Sequence, residues 1–489
     1  MTKQVEVRRG AYRDSVALMQ VSQAVASEPG VDSALIAMAT ELNVELLADM
    51  GFDLTEPAGP NDMLVAIDGT DLDAAVARLE RELSTSGQRP ADDTQTTTTP
   101  PRTVGSAVRA SGADLVLVST PGRTAFLDAA DALDAGAHVM LFSDNVPLDQ
   151  EVALKVEADR RGLLVMGPDC GTAVIGGVGL GFANVVRPGP VGIVAASGTG
   201  AQQLLVLLDG ADVGVSHCLG VGGRDLSNDV GGRSTLRALD LLADDDTTEV
   251  IVLVSKPPAA DVAARVRKHA DSLGKPVVYG LLGRGQNDLT ASAQQVVEAV
   301  GATWSAPQSW PARQSNVTGS LRGLYAGGTL CDEAMVIASD ALGPIYSNIP
   351  LEPDWKAASD GQASGHLMLD FGDDEMTVGR PHPMIDNALR VRRLLTEADD
   401  PTCGVLLLDV VLGHGAHPDP AAELAPAIRT ARETAGRDLP VIVALIGTRD
   451  DPQGRDRQAT ALNEAGADVH LSNADAARTA VGLLSGSDT

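Results

Sequence analysis

A chain of 489 residues with 66 acidic against 37 basic side chains carries a formal charge of −29. It is long enough for three or four domains, and its charge repels nucleic acid backbones and anionic membranes. Aromatic residues make up only 2% of it, too few for the stacking platforms of RNA- or single-strand-binding modules. Its four cysteines (Cys170, Cys218, Cys331, Cys403) form no CxxC pair, so neither a zinc site nor a disulfide framework is indicated. A charged N-terminus and the lack of any run of about 18 apolar residues point to a cytoplasmic setting.

Residues 3–84 alternate β-type runs (VEV at 5–7, ALIAM at 34–38, MLVAI at 63–67) with helical patterns, which predicts a small α/β domain over 1–84. The Thr-, Pro- and Asp-rich stretch TSGQRPADDTQTTTTPPR has no apolar periodicity and reads as a linker over 85–102. Over 103–186 the runs DLVLVST, AHVMLFS and GLLVMG, separated by helix-length segments, predict a parallel sheet with helices on both faces. Ligands bind at the carboxyl ends of such strands. That singles out the turns at 119–122, 143–145 and 167–171.

The remaining residues contain an internal repeat. VGIVAASGTGAQQLL (191–205) aligns with GLYAGGTLCDEA (323–334), both giving a strand, a Gly-Thr turn and a helix. The GVGG stretch and following strand at 220–254 align with 370–408, GKPVVYGLLGRG (274–285) with DLPVIVALIGTRD (438–450), and VVEAVGA (296–302) with ALNEAGA (461–467). Two similar domains, 187–312 and 313–489, are expected as a pseudo-twofold pair sharing a cleft.

The GPDC turn at 167–170, VGIVAASGTG at 191–200 and GVGG at 220–223 make residues 104–302 similar to the α subunit of the succinyl-CoA synthetase superfamily. Residues 320–485 resemble, more weakly, the C-terminal ligase domain of the β subunit. The fused order, the extra N-terminal domain and the segments DFGDDEMTVGRPHPMID and DVVLGHGAHPDP resemble its FdrA-type branch. The resemblance implies an α/β chain: a small α/β N-terminal domain, a Rossmann-like CoA-binding-type domain, and two tandem flavodoxin-like ligase domains.

In that superfamily a phosphohistidine is held between two helix N-termini, whose free N–H groups and dipoles stabilise anions. Both termini are retained, at Ser197, Gly198, Thr199 and Gly200 and at Gly328 and Thr329; Gly222, Gly223 and Arg380 are further candidates for phosphate or substrate contact. Gly167, Pro168, Asp169 and Cys170 match the turn that lies near coenzyme. Two departures stand out. The loop GRGQNDLTAS (283–292) lacks the histidine, and Lys256 replaces the glutamate that supports it. A nucleotide-grasp domain is also missing from the matched order.

Lys256, at a strand's carboxyl end, offers positive charge to a small anion. His382, His414 and His417 are the candidates for acid–base work or phosphoryl acceptance, and the acidic loop 370–375 suits oxygen coordination of a divalent cation. No cofactor is fixed by these residues; coenzyme A and Mg2+ are the candidates, and no resident metal is assigned.

The FdrA-type resemblance implies a transferase subunit that converts carbamoyl-oxamate and phosphate to oxamate and carbamoyl phosphate in purine or allantoin catabolism. Two alternatives stay open: an acyl-CoA synthetase (succinate–CoA ligase-like) subunit that needs a separate nucleotide-binding partner, and a non-catalytic regulatory or scaffolding subunit. The expected partners are a small anionic substrate (carbamoyl or acyl phosphate, or a dicarboxylate-like acid) and companion subunits in an oligomer.

Overall fold

The computed structural model describes residues 2–85 apart from 12, 14, 55 and 71, and residues 101–485 apart from 359, 360, 362–364 and 378–380. Two compact units result, divided near residue 100. The first runs β1 (Thr2–Arg8), α1 (Ser15–Ala26), β2 (Val31–Met38), α2 (Glu41–Asp49), β3 (Met63–Gly69), α3 (Leu72–Thr85). Its strands form an antiparallel sheet in the order β1-β3-β2. Side chains alternate across β3, so Val65 and Ile67 pack with Leu18, Val25 and Leu79, whereas Leu64 and Ala66 pack with Leu47 and Phe52.

The second unit opens with α4 (Val104–Ser111), β4 (Leu115–Val118), α5 (Gly122–Asp134), β5 (His138–Leu141), α6 (Leu148–Arg161) and β6 (Val165–Met166). These give a three-stranded parallel sheet, β4-β5-β6. Leu117 of β4 is 45% exposed, so the face it occupies is covered only in part. The hairpin β7 (Thr172–Ile175) and β8 (Val178–Gly181), which falls within the 103–186 span, joins the next sheet, where Ile175 and Val174 pair antiparallel with His217 and Cys218.

That next sheet adds β9 (Pro188–Ala196), α7 (Gly198–Gly210), β10 (Val215–Gly220), α8 (Arg233–Asp244), β11 (Val250–Ser255), α9 (Ala260–Ala270), β12 (Val277–Leu281) and α10 (Leu289–Ala299). The last is built from β13 (Ser309–Trp310), β14 (Ser320–Tyr325), α11 (Gly328–Leu342), β15 (Ile345–Tyr346), β16 (His366–Asp370), α12 (Asp374–Thr377), α13 (Ala388–Asp399), β17 (Cys403–Val411), α14 (Pro420–Thr434), β18 (Val441–Ile446), α15 (Arg455–Glu464), β19 (Ala467–His470) and α16 (Asn473–Ser485).

The sheets run β12-β11-β9-β10-β7-β8 and β13-β19-β18-β17-β14-β16-β15. Their parallel cores, β10-β9-β11-β12 and β16-β14-β17-β18, share the flavodoxin-like order 2-1-3-4. β9 and β14 are therefore equivalent central strands, each feeding a helix, α7 or α11, whose N-terminus opens at the carboxyl edge. One continuous apolar core, including Leu204 and Leu208 of α7 with Leu330 and Ala334 of α11, joins the two halves. The architecture is a small N-terminal α/β domain followed by tandem CoA-ligase-type α/β domains.

Polar caps repeat across the halves as well. Gln203, six residues after the N-cap of α7, donates to Leu471 O at 3.0 Å and accepts from Asn473 N at the start of α16. Glu333, six residues after the N-cap of α11, accepts from Leu289 N at the start of α10 at 2.6 Å. Each central helix thus satisfies orphan N–H groups of a helix in the opposite half.

Candidate active site: paired helix termini between the halves

The N-termini of α7 and α11 abut. Ser197 Oγ accepts from Gly200 N at 2.9 Å and donates to Thr329 Oγ1 at 2.6 Å, while a Cβ placed on Gly327 would fall 2.6 Å from Thr199 Oγ1. The N-cap of each helix therefore meets the threonine two residues beyond the N-cap of the other. Behind α11, the Asp409 carboxylate accepts from Ala326 N (2.7 Å) and Gly327 N (3.0 Å) and pairs with the buried Arg390 at 3.0 Å. This holds the turn in place and leaves the first N–H groups of the helix free of any side-chain cap.

Lys256 follows β11 and crosses to the other half. Its ammonium lies 3.4 Å from Asp332 of α11, with the lysine side chain 39% exposed and the aspartate side chain 10%. A Cβ on Gly328 would meet Asp370 Oδ2 at 2.6 Å and Lys256 Nζ at 2.9 Å, so both charges sit directly against the α11 terminus. Burial pushes the Asp370 carboxyl up to about 7, against the pull of Lys256. Burial also works against the Lys256 charge, but Asp332 and Asp370 outweigh it and raise its pKa. Lys256 is thus held charged between Asp332, whose own pKa burial raises, and the Asp370 carboxyl, which near neutral pH is poised between its two forms.

Of the three histidines, His382 reaches the cluster: a Cβ on Gly372 would lie 2.8 Å from its Nε2, and its ring is tilted at 38° to that of Phe182 with the centroids 5.7 Å apart. Met384 N donates to its Nδ1 at 3.2 Å, which leaves the proton on Nε2, and burial lowers its pKa to about 4. Burial therefore favours the neutral form of His382, with Nε2 carrying the proton. His417 is corrected: Nδ1 accepts from Asp419 N at 3.0 Å and Nε2 faces Glu423 at 3.2 Å, so both nitrogens are committed. The hydrogen bond to Glu423 raises its pKa. His414 is exposed and bonded through its backbone to Ala183.

The turn expected to meet coenzyme is closed. Cys170 is buried, its thiol raised to about 12 by burial, and Gly220 has room for no side chain against its sulfur. Gly167 and Pro168 press on Gly222, which holds φ +89° where a Cβ would strike Pro168 O at 2.7 Å. Gly222 is thus a packing glycine; Gly223, Gly198 and Asp169 are exposed. Arg380 lies outside the described residues. Arg224 and Arg233 are held by Glu151 (2.9 Å) and Asp159 (3.0 Å). Among the described residues, no group of three or more His, Cys, Asp or Glu is placed to hold a metal ion.

Sequence reasoning placed Lys256 and both helix termini but missed Asp332 as a partner, because α11 reads as an ordinary apolar helix. Asp370 was visible only as one member of an acidic run. Asp409 and Arg390 lay hidden in an apolar strand and an amphipathic helix.

With the fold and cleft in place, the class is defined by its fold, that of the CoA-ligase superfamily and its succinate–CoA ligase α subunits. The CoA-ligase family profile matches residues 324–483, and a profile described as AllF, heavy metal-associated domain, matches residues 1–100. The chain is 37% identical over 497 residues to the uncharacterized protein YahF of Escherichia coli (strain K12), covering 95% of each chain, and it belongs to that protein's family. It is 29% identical over 181 residues to the succinate–CoA ligase [ADP-forming] subunit alpha 2 of Archaeoglobus fulgidus, covering 36% of this chain and 61% of that one. A malate–CoA ligase subunit alpha of Methylorubrum extorquens is 26% identical over 228 residues, with 44% and 72% covered. The chain thus spans about 61% of the length of the succinate–CoA ligase subunit it matches.

These relatives overturn the expectation of carbamoyl transfer, since those named by an activity are CoA ligases. Residues 1–100 contain neither Cys nor His, so the thiolate and imidazole ligands that a heavy-metal site commonly uses are missing there. No helix among the described residues is long and apolar enough to cross a membrane.

Proposed function

We propose that this chain is a CoA-ligase-type subunit that interconverts an acyl phosphate and an acyl-CoA, with the phosphate held noncovalently at the joined N-termini of α7 and α11. We assign it to the FdrA-type branch on the fused domain order and the two loop segments that carry that likeness. The single observation behind the reading is the meeting of both helix termini with Lys256 and Asp370 at Gly328.

Free N–H groups of α11 and α7 bind the phosphoryl oxygens, and Lys256 Nζ neutralises charge that develops as phosphate leaves. Coenzyme A, as co-substrate, supplies the thiol that takes the acyl carbon as the carbon–oxygen bond to phosphate breaks. Asp370, close to half-ionised near neutral pH, is the group in place to accept the thiol's proton. Without a histidine after β12, the loop forms no phosphoenzyme, so exchange with a nucleotide falls to a companion subunit. The malate- and succinate-specific relatives favour a small carboxylic acid as the acyl group.

The test is phosphate-dependent release of free thiol from succinyl-CoA and malyl-CoA by the purified chain, alone and with the products of neighbouring genes. Thiol release that saturates with phosphate is expected, without protein-bound phosphate after incubation with ATP. No phosphate-dependent release with either thioester would overturn the reading.

A further inference from the structure

The loop after β12, residues 283–288, faces the same cleft but carries no histidine. Its first strand-end contact, Leu282 N to Ser255 O at 3.0 Å, sets it beside Lys256. From this loop Arg284 reaches the opposite half, where its guanidinium carbon lies 5.5 Å from the ring centroid of Trp355. Trp355 is fixed to the cluster in turn. Its carbonyl accepts from Ser347 N at 3.0 Å, and the next residue, Asn348, clasps the Asp370 backbone with two bonds of 2.8 and 2.9 Å. Two routes therefore lead from Asp370: one through Lys256 and β11, the other through Asn348 and Trp355. They meet at Arg284.

Arg284 is exposed, has no ion pair among the described residues and lies over the Trp355 ring, so its N–H groups are available to a ligand. Lys356, beside Trp355, spends one N–H on Asn348 O at 2.7 Å and adds positive charge to the same rim. In a chain of charge −29, an unpaired planar cation fixed across a cleft is suited to one ligand class, an oxyanion that accepts two parallel hydrogen bonds.

We propose that Arg284, lying over Trp355, is a substrate-binding residue that takes a phosphoryl or carboxylate oxygen pair, replacing covalent capture in this loop with reversible anion binding. The proposal rests on the reading that the cleft binds an oxyanion, and it adds the residue and the bidentate geometry.

Trp355 reports the test. In the Trp304→Phe, Trp310→Phe background it is the remaining tryptophan, and titration with inorganic phosphate or with acetate should change its emission saturably. The tighter of the two identifies the anion. Arg284→Ala should weaken that binding at least about tenfold, and Arg284→Lys, which keeps charge without the fork, should recover only a small part. Arg267→Ala is the control: that arginine stacks on Tyr279 at 4.5 Å from the last turn of α9, at the opposite edge of the sheet, and its loss should change nothing.

Wild-type affinity in Arg284→Ala, or equal weakening in Arg267→Ala, would overturn the assignment. Thiol release measured in parallel separates the two ideas. Phosphate-dependent turnover with an unchanged phosphate KM in Arg284→Ala sinks the arginine alone. Anion binding lost in Arg284→Ala, without any turnover in the wild type, sinks the acyl-transfer reading alone.

Discussion

The two ligase-like halves share a strand order, a helix at the same point and reciprocal N-caps, yet they supply opposite chemistry. The first contributes cations, Lys256 and Arg284, from loops after its third and fourth core strands. The second contributes carboxylates, Asp332 and Asp370, and a neutral histidine. Pseudo-equivalent positions show the contrast most plainly: around Gly198 of α7 the nearest atom to an added Cβ is 3.8 Å away, whereas Gly328 of α11 is hemmed by Asp370 and Lys256. The backbone is duplicated and the charged groups are not, so the candidate site exists only where one half faces the other.

The largest effect should come from the support that only the second half has. Asp409→Ala removes the acceptor of two turn N–H groups and strands the buried Arg390 charge, which costs about 3–5 kcal/mol. Chemical denaturation should show that loss. Next, Gly328→Ala should displace Asp370 or Lys256 and lower turnover by about a hundredfold, while Gly198→Ala leaves it within about threefold. Equal effects of the two substitutions would break the comparison. Lys256→Met should cost about a hundredfold in turnover with the fold intact, as loss of one charged donor to a leaving oxyanion does.

Titration sharpens the contrast further. As pH rises through about 7 Asp370 loses its proton and the cluster gains one negative charge, with His382 uncharged throughout. Binding of sulfate, whose own charge stays fixed in this range, should therefore weaken above pH 7 in the wild type and stay level in Asp370→Asn. The smallest effect concerns stability. Glu333, buried and raised to about 7, binds its proton more tightly in the folded chain than in the unfolded one. Its contribution is complete below about 4.5 and is lost as pH rises toward 7, at no more than about 1.4 kcal/mol per unit. Glu333→Gln should flatten that slope in melting curves, whereas Gln203, its counterpart, has nothing to titrate.

The repeat was legible in the sequence because strand-turn-helix units carry small residues at fixed offsets, and the sheet orders follow it. Lys256 was legible because a cation after a VIVLVS strand breaks an apolar pattern. Asp409 was not, since one acid inside CGVLLLDVV looks like the end of a strand rather than a buried strut. The histidines misled for a physical reason: their loops do share an edge with the cleft, but backbone N–H groups and Glu423 had already claimed His417, and burial had fixed His382 neutral. Carbamoyl transfer rested on the branch resemblance alone, which residue spacing could neither support nor refuse.

Phosphate-dependent thiol release from succinyl-CoA or malyl-CoA, compared across wild type, Gly198→Ala and Gly328→Ala, tests the central claim most directly. The account predicts release in the first two and its near loss in the third, with all three equally folded. Release that is absent in the wild type with its partners present, or that survives undiminished in Gly328→Ala, would contradict it.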